Sequence, residues 1–136
     1  MKFIFNIIVK YFIKYPHHIK YIKPQSLEFQ LAIVNNNNRN IQYITNPYLE
    51  TQLRSVNDNI WNIEFIKNPY LEVQLMVINR NGYCIILIKD PGYEVQLSAI
   101  QNNLNINKNY FKFIKSYITY PDLLELIELK ILACEE

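Results

Sequence analysis

Apolar residues recur along this chain in two alternating blocks. Leu71, Leu75 and Ile78 follow one another at i, i+4 and i+7, the spacing of a single helix face. A polar break at Asn79, Asn81 and Gly82 comes next, of the kind that ends a helix. A short apolar segment, Ile85 to Ile88, then closes the unit, with Ile41 and Ile44, and Ile63 and Ile66, as its core-facing counterparts.

The blocks repeat every 22 residues. Gln30, Gln52, Gln74 and Gln96 keep that step, as do Glu28, Glu50, Glu72 and Glu94, and Leu31, Leu53, Leu75 and Leu97. Pro47, Pro69 and Pro91 mark the unit starts, and Pro24 does so with one extra residue after it. Asn46, Asn68 and Asp90 precede their prolines, which predicts a side-chain N-cap followed by proline at the first helical position. The glutamates then fall in the first turn, where an acid complements the helix dipole. A strand in the second segment would suit a leucine-rich repeat, but the short-step leucines of that fold are missing and the acid-led, proline-capped first segment has no place in it. The pattern predicts an all-α solenoid of helix–turn–helix repeats, about 10–12 residues in the first helix and about 7–8 in the second.

On this reading residues 1–136 form one helical-repeat domain. Its units run over about 24–46, 47–68, 69–90 and 91–120, between atypical terminal elements at 1–23 and 121–136. Extra residues around Asn102 to Asn109 lengthen the last unit, and Pro121 opens a final helix to about Cys134. That helix carries more leucine and isoleucine than one stripe needs, which predicts self-association through 121–136 or a partner docked on it.

Charge adds polarity to this picture. Residues 1–23 hold Lys2, Lys10, Lys14, Lys20 and Lys23 and no acid, whereas 119–136 hold five acids against Lys130. A net charge of +2 argues against a protein built mainly to hold phosphates. Asn6, Lys10 and Lys14 interrupt the apolar front, so it is too broken for the ~20 residues of a membrane span. It reads as a terminal repeat helix, with peripheral membrane contact as the alternative. Cys84 and Cys134, without metal-ligand spacing, suit a reducing intracellular compartment.

The run Ile-Lys-Asn-Pro-Tyr-Leu-Glu-Val-Gln-Leu at 66–75, followed by Asn81-Gly82-Tyr83, resembles the short α-helical repeats of uncharacterised proteins from giant DNA viruses of the mimivirus type. The match covers 19–104 and leaves both ends out; Arg54 and Met76 depart from the small residues usual after Gln-Leu. The resemblance implies a viral protein in the host cytoplasm, and it carries over no catalytic residue.

Catalytic and metal constellations are not found in the sequence, and no cofactor is expected. His17 and His18 are adjacent, which makes a poor metal pair, and they fall between the first two helices where a loop is expected. Two glycines leave no phosphate-cradling loop. The glutamine column lies at the edge of the buried stripe and is expected to bond a loop of the next repeat and set its register. Residues that vary between repeats are the candidates for partner binding: Arg39, Trp61 and Tyr83 in one column, and Arg54 in another. The expected function is a protein-interaction module, not an enzyme, with nucleic-acid binding by a helical groove as the alternative.

Overall fold

The computed structural model describes residues 2–101 and 107–134, and among them every regular element is helical. The chain is an all-α repeat of helix pairs. Its α-helices are α1 (Lys2–Lys14), α2 (Leu27–Asn36), α3 (Leu49–Asp58), α4 (Leu71–Arg80), α5 (Tyr93–Gln101), α6 (Lys108–Ile114) and α7 (Pro121–Ala133). Helices α2 to α5 start at Leu27, Leu49, Leu71 and Tyr93, each 22 residues after the last. Most of the expected insertion around Asn102 to Asn109 lies outside the described residues.

In the last unit the second helix is the expected short α-helix, the seven-residue α6. Elsewhere it differs from expectation and is a six-residue 3-10 helix: Pro16–Tyr21, Asn38–Tyr43, Ile60–Phe65 and Gly82–Leu87. Six residues wound as an α-helix reach only about 9 Å, against about 15 Å for the ten-residue partner; 3-10 winding stretches them to about 12 Å. Asn37, Asn59 and Asn81 hold the three later helices in this form. Each side chain accepts from the N–H two residues on, at 3.0–3.1 Å. With three residues per turn, Ile41 and Ile44, Ile63 and Ile66, and Ile85 and Ile88 fall on one side, and all are buried. His17 and His18 belong to the first of these helices and not to a loop.

The expected proline caps are also corrected. The α-helices begin two residues after Pro47, Pro69 and Pro91, and Tyr48, not Asn46, is the N-cap of α3, with no side-chain cap bond. Proline disfavours helical backbone in the residue before it, and Asn46 and Asp90 take left-handed φ values of 52° and 49° instead. Glu28, Glu50, Glu72 and Glu94 do fall in first turns, as the dipole requires.

The chain divides into two compact units, residues 1–73 and 74–136. In the first, α1, α2 and α3 pack in sequence while the 3-10 helices pack on one another, giving an α layer and a 3-10 layer. Ile19, Ile33, Val34, Ile41, Val56 and Ile63 fill the space between, each almost fully buried. Burial of each such side chain contributes about 1.5–3 kcal/mol. In the second unit α5 packs on the 3-10 helix Gly82–Leu87 and on α7, and α6 packs on both that 3-10 helix and α7. Tyr110, Phe111, Ile114 and Ile127 join Val77, Ile85 and Ile100 in its core.

Candidate functional site

Three glutamines of the column, Gln30, Gln52 and Gln96, are clamps. Gln52 is 2% exposed; its Nε2 donates to the Pro47 carbonyl at 3.0 Å, and its Oε1 accepts from the Tyr70 N–H at 3.1 Å. One amide therefore ties the start of its own repeat to the start of the next. Gln30 repeats the pattern, donating to the Gln25 and Asn46 carbonyls and accepting from the Tyr48 N–H at 3.0 Å. Gln96 donates to the Pro91 carbonyl at 2.7 Å and to the Thr119 hydroxyl, and accepts from the Thr119 N–H. Gln74 holds the same register on α4, half-buried. The N–H groups of Tyr48 and Tyr70 sit at helix starts, where the backbone lacks its own partners.

Gln25, which stands outside the column, is a further clamp. It is buried, donates to the Ile19 carbonyl at 2.7 Å and accepts from the Thr45 N–H. The extra residue after Pro24 is the sequence signal that marks it. Ser55 and Asn62 form a buried network that sequence reasoning also missed. Ser55 Oγ donates to the Asn38 carbonyl at 2.7 Å, and Asn62 Nδ2 donates to Asn38 Oδ1 and to Ser55.

The four candidate partner-binding residues separate into different surroundings. Trp61 is 48% exposed on its 3-10 helix. Arg39 is exposed at the same register position of the neighbouring 3-10 helix, its guanidinium 5.1 Å over the Phe65 ring. Arg54 lies on α3, where Nε donates to Asn35 Oδ1 at 2.6 Å and Nη1 pairs with Asp58 at 3.2 Å. Tyr83 is half-buried within residues 74–136 and packs edge-on against Tyr110 at 4.9 Å and against Phe113 at 5.2 Å. Trp61 and Arg39 thus share one surface, while Arg54 and Tyr83 are engaged in packing and bonding of their own. An open groove of about 740 Å3 also runs along the repeat starts of the first unit, between Tyr48, Phe65, Lys67 and Tyr70.

The four serines are held in structural bonds, while Cys134 is a free, exposed thiol. Ser26 caps α2, Ser55 bonds the Asn38 carbonyl, Ser98 donates to Asn79 at 2.6 Å, and Ser116 donates to the Phe113 carbonyl. Cys84 is buried, and burial pushes its thiol up to about 11, far from the thiolate that a nucleophile needs. His18 shares a 2.8 Å hydrogen bond with the Tyr11 hydroxyl and stacks among Tyr11 and Tyr15. Among the described residues, no three of His, Cys, Asp and Glu group as metal ligands would.

No protein-family model, curated protein or solved structure matches the chain.

Proposed function

We propose that this chain is a protein-interaction module whose contact surface is the exposed 3-10 layer around Trp61 and Arg39. One observation carries the reading: the chain's lone tryptophan is left half in solvent while isoleucines fill the core beside it. An indole offers large apolar area and an N–H, which suits the centre of an interface. Positions shared by the repeats, above all the glutamines, are already occupied in joining them. The viral setting, host cytoplasm and absence of catalysis belong to the same proposal and rest on the sequence resemblance and on the bonded state of the serines. Self-association through 121–136 is supported by Leu129 and Leu132, both 59% exposed on α7.

The test is Trp61→Ala in the full chain. The melting temperature stays nearly unchanged while partner capture from host-cell extract is lost. A mutant destabilised by the ~3–5 kcal/mol of a buried aromatic would place Trp61 in the core and remove the site. Retardation of nucleic acid that weakens steeply between two salt concentrations would replace this reading with the phosphate-binding one. Arg54, committed to Asp58 and Asn35, counts against that outcome.

A further inference from the structure

Helix α1 departs from the repeat in one consistent direction. Read 22 residues back from the column of Glu28, Glu50, Glu72 and Glu94, its residue is Asn6, so the acid is gone. At the glutamine position it has Ile8. It also starts three residues earlier than the repeat register, adding a turn that holds Phe3 and Ile4. Phe3, Ile4, Ile7, Ile8 and Tyr11 recur at i, i+1, i+4, i+5 and i+8, one face of a helix, and are 77%, 62%, 52%, 42% and 46% exposed. The opposite side fixes the helix to the protein: Val9 is buried, and the Phe12 ring meets Phe29 edge-on at 5.6 Å.

The charge around this face has one sign. Lys10 and Lys14 are exposed along its border, Lys20 and Lys23 are exposed just beyond, and the first carboxylate side chain in the sequence is Glu28. Tyr15 and Tyr21 are exposed beside them, with the Lys14 and Lys20 ammonium groups over their rings. An exposed apolar stripe, a lysine border and flanking tyrosines are what a helix lying in a lipid headgroup region requires. Stacking of a further repeat accounts for less. Ile7, Ile8 and Tyr11 occupy register positions that are buried in α2 and α3, but Phe3 and Ile4, the most exposed, lie on a turn those helices lack.

We propose that α1 binds in the plane of an anionic bilayer surface, its Phe3–Tyr11 face among the acyl chains and its lysines at the headgroups. Among the described residues no helix is long and apolar enough to cross a membrane, so the contact is peripheral. The proposal is independent of the surface at Trp61.

Co-sedimentation of the full chain with vesicles tests it. Vesicles of phosphatidylcholine mixed with phosphatidylserine should bind the protein, vesicles of phosphatidylcholine alone should not, and high salt should release it. Lys10→Gln with Lys14→Gln should weaken binding about 25-fold, at roughly 5-fold per lysine. Ile4→Asp should abolish it with the helical circular dichroism intact. No binding to the anionic vesicles, or equal binding to both kinds, overturns the proposal. So does a concentration-dependent mass by light scattering that Ile4→Asp removes in the absence of vesicle binding, since a second copy would then cover the face.

Discussion

In the α3 repeat of residues 1–73 the position three after Gln52 is Ser55, and the 3-10 helix that follows carries Asn62; one repeat on, in residues 74–136, those two register positions hold Val77 and Cys84. All four are buried. The first unit joins its repeats there through side-chain hydrogen bonds to Asn38. The second fills the positions with apolar side chains and brings in Tyr110 and Phe111 from its irregular end. One backbone repeat thus accepts either chemistry. The polar version demands a particular partner in the adjacent repeat, because a half-satisfied buried network costs more than an apolar core. The apolar version demands only volume.

The largest effect is expected in the apolar unit. Phe111→Ala removes a fully buried aromatic and should cost about 3–5 kcal/mol in urea unfolding. A loss under 1 kcal/mol would show that the second unit does not depend on this end. In the polar unit Asn62→Ala should cost about 1–3 kcal/mol by leaving Asn38 and Ser55 without their donor. The triple change Asn38→Ile, Ser55→Val, Asn62→Cys copies the residues found one repeat on, Ile60, Val77 and Cys84. It should recover most of that loss, since replacing all the side-chain partners of a buried polar set is close to neutral. If the triple variant is worse than the single one, the two chemistries are not interchangeable.

A pH titration separates the units by a third route. Both cysteines lie in 74–136, and burial raises the Cys84 thiol from its ordinary 9.0 to about 11. The folded state therefore keeps its proton where the unfolded state loses it. The contribution is intact below pH 9 and is lost as pH rises towards 11, about 1 kcal/mol of it by pH 10. Chemical denaturation at pH 8 and pH 10 checks this, and Cys84→Val should remove that part of the slope. The smallest effect is Arg54→Ala, whose exposed pair with Asp58 should change stability by less than about 1 kcal/mol. A larger loss would mean that the bond to Asn35 carries part of the joint between α2 and α3.

The phase of the α-helices was legible because one line of residues states it: Leu49, Glu50, Gln52 and Val56 return 22 residues later as Leu71, Glu72, Gln74 and Ile78. The winding of the second helix was not, since a brief isoleucine-rich segment has the same pattern as strand, α-helix or 3-10 helix, and its length against the partner helix decides. The start residues misled for a local reason: Asn before Pro is a good cap and also a good left-handed residue, and Asn46 does the second. Of the candidate surface, Trp61, Arg39 and Arg54 stand exposed, Arg54 with its head group bonded to Asn35 and Asp58. Tyr83 is packed by Tyr110 and Phe113, which lie beyond the regular repeats, so no spacing within the repeat could reveal it.

The glutamine clamp has a direction, and direction constrains inheritance. Gln30 reaches forward 18 residues to Tyr48, and Gln52 reaches forward 18 to Tyr70. Duplication of a 22-residue block carries this 18-residue spacing with it; an insertion of any other length inside the reach moves the N–H away from a buried oxygen. Where the spacing does change, the partner changes with it: Gln96 finds Thr119, 23 residues on. The two sides of a junction also differ in how they tolerate loss. Without the repeat behind it, Tyr48 keeps a helix-start N–H that water can take up. Without the repeat ahead, Gln52 keeps an amide oxygen that was buried to meet a donor. A gene of this kind can therefore lengthen or shorten by whole units, but every cut must be repaired on the side from which the glutamine reaches.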